Sequence, residues 1–264
     1  MKLLVAAVLS TMLSAAGLAQ AADAKKVTIT WHGQSFFEIQ SSKGTRLVID
    51  PHALDAYGRI QVKADIVLES HLHSDHTQTA VVTNFNKDML RQGLKDEKGD
   101  GKKVDFNPID EKFKDFHIYN VSTYHDDMNG MVRGRNSIFV IEVDGLRIVH
   151  LGDLGHILNE TQIKKIGAVD VLMIPVGGIY TLNGAEAKKV MDQLKPRQYV
   201  IPMHYSTKVY FALLTEEEFL EEQKNPKDIK HITTNELTVD AGFKPERPIT
   251  AVLNWEKPGN KPEK

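Results

Sequence analysis

The chain has 264 residues, 41% hydrophobic and 26% charged, with 33 Lys+Arg against 35 Asp+Glu for a net charge of −2. These proportions exclude a disordered chain, a collagen-like fibre and a polytopic membrane protein, and the near-neutral balance gives no electrostatic reason to expect nucleic acid as a partner. There is no Cys and there are 11 His, so disulfides, thiolate metal sites and catalytic thiols are excluded, and any metal must be held by His and carboxylate.

Met1-Lys2 is followed by an uncharged run rich in Leu, Ala and Val that ends in Ala19-Gln20-Ala21. The small-x-small ending is the pattern read by signal peptidase, and the run is short for a bilayer span, with Asp23-Ala24-Lys25-Lys26 following at once. The expectation is a signal peptide over residues 1–21 that is cleaved rather than kept as an anchor. The mature protein is then periplasmic or secreted, with no membrane attachment. Residues 22–264 read as a single domain with a loose tail after about residue 255.

From Val27 the chain reads as short β-rich runs. Val27 to Trp31, Phe36 to Ile39 and Arg46 to Ile49 are expected strands, the last two joined by Ser41-Ser42-Lys43-Gly44. Ala64 to Glu69 reads as a buried strand, a helical stretch is expected around Lys87 to Leu94, and 95–103 as an exposed charged loop. Ser137 to Val143 and Leu146 to His150 flank Asp144-Gly145, a type I′ hairpin signal. Asp170 to Ile174 and Gln198 to Ile201 are further strands, separated by a helix over Ala185 to Leu194 that stops before Pro196. Thr215 and Glu218 predict a capping box opening a helix from Glu216 to Gln223. The whole is one α/β domain of two sheets covered by helices.

The chemistry concentrates after the buried strand, in His71-Leu72-His73-Ser74-Asp75-His76. Three imidazoles and a carboxylate in six residues is a metal-ligand density that structural roles rarely produce. In an extended segment, residues 71 and 73 face the same side, so both rings can hold one ion, while Asp75 and His76 at the turn beyond can reach a second.

His-x-His-x-Asp-His after a strand resembles the signature of the metallo-β-lactamase-fold superfamily. Three further segments follow in the order of that family: His125 in Ser122-Thr123-Tyr124-His125-Asp126-Asp127, Asp153 in His150-Leu151-Gly152-Asp153, and His204 in Ile201-Pro202-Met203-His204-Tyr205. The resemblance covers about Val27 to Thr207. It implies a four-layer αββα sandwich with two divalent metal ions. His71, His73 and His125 would hold the first ion, and Asp75, His76 and His204 the second, with Asp153 bridging. Neutral imidazoles suit Zn²⁺, although His/Asp sets also accept Mn²⁺ or Fe²⁺. A water shared by such ions becomes a hydroxide nucleophile near neutral pH.

Asp153 and the absence of Cys count against a true β-lactamase, several of which use a Cys ligand. The segments 150–156, 175–181 and 201–205 resemble the metal-dependent hydrolase branch related to L-ascorbate 6-phosphate lactonases. That branch often carries Gly-His-Ser after the first strand, whereas this chain has Gly33-Gln34-Ser35 with His32 before it.

Asp50, after a strand and before Pro51, is a candidate to orient a ligand imidazole, with a turn role as its alternative. His156 is a candidate proton donor to a leaving group. Arg135 is a candidate anchor for an anionic substrate group, and Gly178, with Gly177, for close backbone approach. His52, His117 and His231 carry no surrounding constellation. The expected function is an exported binuclear metal-dependent hydrolase of an ester, lactone or phosphoester, with a metal-bridging hydroxide as nucleophile and Asp75 steering its proton. Its partner is a small-molecule substrate, and the sequence sets no oligomeric state. The competing expectation is a non-catalytic metal-binding or ligand-sensing protein on the same fold.

Overall fold

The computed structural model describes residues 25–96 and 104–255. The expected signal peptide, most of the charged segment 95–103 and the tail lie outside the described residues. The strands are β1 (Lys26–Trp31), β2 (Phe37–Gln40), β3 (Arg46–Ile49), β4 (Ile66–Glu69), β5 (Leu90–Gln92), β6 (Leu94–Asp96), β7 (Val104–Phe106), β8 (Asp110–Phe113), β9 (Phe116–Tyr124), β10 (Arg135–Val143) and β11 (Leu146–His150). Then come α1 (Glu160–Ile166), β12 (Val171–Pro175), α2 (Gly184–Leu194), β13 (Tyr199–Met203), α3 (Glu217–Glu221), β14 (Ile229–His231), β15 (Glu236–Asp240) and β16 (Ile249–Val252).

Two large sheets form, ordered β15-β1-β2-β3-β4-β5 and β14-β16-β13-β12-β11-β10-β9-β8. Strand alternation decides which layer each side chain joins. Leu47 and Ile49 of β3, like Ile66 and Leu68 of β4, point into the main core shared with the second sheet, while Val48 and Val67 point the other way into a smaller cluster with Phe36, Val62, Val81 and Val82. The architecture is the expected αββα sandwich. Among the described residues its helices α1 and α2 pack on the eight-stranded sheet, whereas the outer face of the six-stranded sheet is covered by segments that include the 3₁₀ turn Thr79–Val81.

Local chemistry explains most boundaries. Asp144 and Gly145 both take positive φ, 53° and 87°, as the β10–β11 hairpin requires. Asn159 with Gln162, and Asn183 with Glu186, close full capping boxes on α1 and α2. Two expectations are corrected. The stretch from Lys87 to Leu94 is a 3₁₀ turn at Lys87–Met89, held by the Asn86 side chain, followed by β5. Pairing of β5 with the buried β4 outweighs local helix preference there. The helix expected from Glu216 to Gln223 spans only Glu217–Glu221 and has no side-chain cap. Glu218 accepts instead from the Gly184 backbone N–H at 2.8 Å, so its carboxylate serves the start of α2. Residue 95, expected in a loop, belongs to β6, which pairs with β7. No helix among the described residues is long and apolar enough to cross a membrane.

Glu69, the last residue of β4, is 2% exposed. Its carboxyl accepts one hydrogen bond from Gln92 Nε2 at 2.8 Å. Burial pushes its pKa up to about 7. The folded state therefore keeps a proton that the unfolded chain releases near its ordinary pKa, and Glu69 lowers stability progressively as pH rises from about 4.5 to about 7. Glu69→Gln, melted in chelator, should match the wild type near pH 5 and exceed it at pH 8, by on the order of 2 kcal/mol. A difference independent of pH would refute this origin.

Candidate metal centre

Strand direction brings the candidate ligands to one rim. β9 and β11 both run antiparallel to β10, and β11, β12 and β13 are mutually parallel, so the C-terminal ends of β9, β11, β12 and β13 lie together. His125 directly follows β9, Asp153 follows β11 and His204 directly follows β13. In the other sheet β3 and β4 are parallel, and Asp50 and the segment 70–76 leave their C-terminal ends. The two rims meet where the Ser137 N–H of β10 donates to the Ser70 carbonyl at 3.0 Å.

Asp153 lies at the centre, with its side chain 3% exposed. Its Oδ2 stands 3.1 Å from His204 Nε2, 3.2 Å from both His76 Nε2 and His125 Nε2, and 3.8 Å from His71 Nε2. Ser35 Oγ donates to its Oδ1 at 3.3 Å, and Asn136 Oδ1 accepts from its backbone N–H at 3.0 Å. His71 Nε2 and His73 Nδ1 are 3.1 Å apart, and Asp75 Oδ2 is 3.6 Å from His76 Nε2. Three groupings bring donor atoms close enough to hold an ion: His71, His73 and His125; Asp75, His76 and His204; and Asp50, His71 and His76, which shares a histidine with each of the other two.

A buried hydrogen-bond chain sets the tautomers. Asp50 Oδ1 accepts from the Ser70 N–H at 2.7 Å, while its Oδ2 accepts from Ser70 Oγ at 2.6 Å and from His76 Nδ1 at 3.0 Å. Because Ser70 gives its hydroxyl proton to Asp50, it can only accept from His71 Nδ1, 3.0 Å away. Both imidazoles then carry a proton on Nδ1 and turn Nε2 inward, the nitrogen left for a metal; on His76 a metal would displace the second proton that Asp153 and Asp50 retain there. His71 Nε2 lies 3.1 Å from His73 Nδ1, and the buried His76 Nε2 lies 3.2 Å from Asp153 Oδ2. Imidazole nitrogens and carboxylate oxygens gathered this closely in a buried spot are the donor set that a divalent cation takes. The residues fit a metal.

Charges agree with that fit. Burial holds the His71 and His73 rings below the ordinary histidine pKa, so they are neutral donors. Burial also opposes a charge on His76 and on Asp153. In the metal-free protein it is outweighed in both: the Asp153 and Asp50 carboxylates hold His76 well above its usual pKa, and His204 and His76 hold Asp153 well below the carboxylate range.

The seven candidate ligands come together as one cluster; the other candidates divide. Asp50 orients His76, the first of its two expected roles. His156 has both ring nitrogens engaged by backbone: its Nδ1 donates to the Ile157 carbonyl at 2.9 Å and its Nε2 accepts from the Tyr124 N–H at 3.2 Å. Arg135 pairs with Asp105 at 3.4 Å and lies over the Phe106 ring, so its charge is engaged away from the expected substrate. At Gly178 the backbone N–H donates to Leu182, and its own φ is +57°. The close approach belongs to Gly177, where a Cβ would lie 2.2 Å from the His204 carbonyl oxygen. Both glycines therefore shape the return of the chain past His204.

Gln34, in place of the branch's usual His, takes φ +49°, and its carbonyl accepts from the His204 N–H at 3.1 Å and from Trp31 Nε1 at 2.9 Å. His32 packs on Phe36, and His52 is a neutral core residue whose pKa burial lowers to about 4. His117 sits between Asp110 and Glu142, and His231 lies on β14. Ser70, Ser35 and Asn136 escaped sequence reasoning. Only their positions beside His71, Gly33 and Arg135 hinted at them.

Two outcomes test this geometry. Asp50→Asn should weaken metal binding about 10–100-fold in a chelator-competition titration while leaving the fold intact, because the amide no longer fixes the His76 tautomer. Metal uptake at pH 7 should release at least one proton, since His76 must lose the one its raised pKa retains. Calorimetry in buffers of different ionisation enthalpy measures this, and affinity should fall with falling pH.

The profile of the family described as "Beta-lactamase superfamily domain" matches residues 28–204. A UPF0173 metal-dependent hydrolase of Thermococcus onnurineus is 31% identical over 194 residues, covering 69% of this chain and 85% of its own length. Among solved structures, a candidate Zn-dependent hydrolase of the metallo-beta-lactamase superfamily from Thermotoga maritima is 32% identical with a TM-score of 0.65, covering 86% of this chain and 98% of that one. A candidate metal-dependent hydrolase from Parabacteroides distasonis, 24% identical, shares the fold with a TM-score of 0.59, over 76% of this chain and 90% of that one. By its His- and Asp-lined centre, its sandwich and this kinship, the chain belongs to the metallo-β-lactamase superfamily of metal-dependent hydrolases.

Proposed function

We propose that the protein is a binuclear hydrolase in which His71, His73 and His125 hold one divalent cation, Asp75, His76 and His204 hold a second, and Asp153 lies between them. The observation that carries this reading is the convergence of four imidazole Nε2 atoms on Asp153 Oδ2 within 3.8 Å. Zn²⁺ suits the donor set best, with Mn²⁺ and Fe²⁺ as accepted alternatives. The chemistry such cations supply is a nucleophile generated from water near neutral pH and a Lewis acid for the electrophile.

The chain's own residues do the rest. Asp153 offsets charge between the two groupings, fixed by Ser35 and Asn136. Asp50 and Ser70 keep His71 and His76 in the required tautomer. Asp75 is the open carboxylate of the centre: its side chain is 29% exposed, against 0% for Asp50 and 3% for Asp153. That exposure supports a role in which Asp75 accepts the nucleophile's proton on a carboxylate oxygen and returns it to the leaving group, since both ring nitrogens of His156 are engaged by backbone. The substrate is an ester or lactone in the first instance, a phosphoester in the second. The N-terminal run ending in Ala19-Gln20-Ala21 supports export to the periplasm or medium.

Metal analysis of the purified protein should find close to two transition-metal ions per chain, and fewer than one under metal-replete conditions would sink the binuclear reading. Asp75→Asn should lower turnover on an esterase, lactonase and phosphodiesterase panel at least about 100-fold while keeping the melting profile. Equal behaviour of variant and wild type across that panel would favour a non-catalytic metal-binding protein.

A further inference from the structure

A soluble protein seldom gathers large apolar side chains on one exposed patch without a use for them. Among the described residues nine large hydrophobics are exposed, and all but Phe243 fall in the loops that leave the metal-site rim, within 126–134, 153–158, 177–182 and 205–214. Met131 is 80% exposed, Val132 63%, and Ile179, Tyr180 and Leu214 50% each.

Hydrogen bonds join these loops to one another, among them Leu182 N–H to the Leu154 carbonyl at 3.1 Å. The first is rooted at the ligands, since the His125 N–H donates to the Gly134 carbonyl and the Asp126 carboxylate accepts from four backbone N–H groups, of Met128, Gly130, Val132 and Arg133. From it Arg133 Nη2 donates to the Ile179 carbonyl at 2.7 Å, with the guanidinium 5.8 Å from the Tyr180 ring. The fourth loop, 205–214, joins the third: the Leu214 N–H donates to the Gly177 carbonyl at 2.8 Å, and the Tyr210 phenol lies within electrostatic reach of Asp75, Tyr180 and Asp153. Ile179 is held at φ +54°, a conformation β-branched residues avoid, and it is kept there with its side chain outward. Such an outlier points to a use for the side chain.

We propose that Met131, Val132, Ile179, Tyr180 and Leu214 form an apolar collar that receives a hydrocarbon chain of the substrate, so that the ester or lactone hydrolysed carries a medium-length acyl or alkyl group. This rests on the hydrolase reading above and narrows its substrate class. A small neutral chain fits better than an anionic lipid surface, because the loop 126–134 carries Asp126 and Asp127 against the single Arg133.

The test uses zinc-loaded full-length protein with p-nitrophenyl esters from acetate to decanoate. kcat/KM should rise about twofold per methylene, part of the gain expected for full burial. The Met131→Ser/Val132→Ser double variant, checked by its melting curve, should flatten that slope, lowering the decanoate value at least about tenfold relative to acetate. A slope the same in variant and wild type overturns the collar. A second arm needs no turnover: 1-octanol should bind the metal-free protein about tenfold more tightly than 1-butanol by calorimetry, and the double variant should lose the difference. If no ester is hydrolysed, the hydrolase reading fails for that class, while the alcohol preference still supports the collar and its absence overturns it. Capture by phosphatidylcholine vesicles that depends on Met131 and Val132, with no chain-length preference for the alcohols, also overturns it, in favour of a membrane surface.

Discussion

Everything at this site depends on one buried carboxylate. Asp153 is all but excluded from solvent, and four imidazole nitrogens point their donor atoms at one of its oxygens. Removing such a group from water is costly unless compensating charge is supplied. In the metal-free protein the charge of His76 supplies part of that compensation; divalent cations suit the same geometry better. The neighbouring devices follow from this demand: Ser35 and Asn136 fix the carboxylate, while Ser70 and Asp50 hold protons on the outer nitrogens of His71 and His76 and so turn the inner ones toward the centre.

The fold contributes direction and rigidity more than contact. Parallel alignment of β11, β12 and β13 sends their following loops to the same edge, and the β9–β10 hairpin folds a further strand end onto it. Close approaches then lock the rim. Besides Gly177, Gly155 leaves no room for a side chain, because a Cβ there would fall 2.3 Å from the His125 carbonyl oxygen. His204 itself sits at φ +51°, outside the ordinary range for its residue type. A ligand held in such a conformation depends on the backbone bonds around it, to Gln34 on one side and Gly177 on the other.

The clustering of the candidate ligands was legible because its chemistry is local in sequence: a dense His/Asp run after an apolar strand, then single His and Asp residues after later strands. The sandwich was legible from alternation and from turn signals such as Asp144-Gly145. What sequence reasoning missed depends on distant partners. Glu218 looked like a capping residue for its own helix, yet its oxygen went to Gly184, 34 positions away. Lys87 to Leu94 looked helical until pairing with β4 claimed its second half. His156 and Arg135 had suitable chemistry for catalysis and anchoring, but backbone partners and Asp105 occupy them. A residue type announces what a side chain can do; only the packed structure says whether it is free to do it.

The meeting of the two sheets at Ser70 and Ser137 has a mechanical consequence. Each proposed cation draws donors from both layers: His71 and His73 from the six-stranded side with His125 from the other, and Asp75 and His76 with His204. Each ion is then a cross-link, fastening one half of the sandwich to the other much as a disulfide would in a chain that has no cysteine. Neither half can carry a working fragment of the centre. Gain and loss of the proposed metal would then be events in the cohesion of the whole domain, felt in both sheets at once.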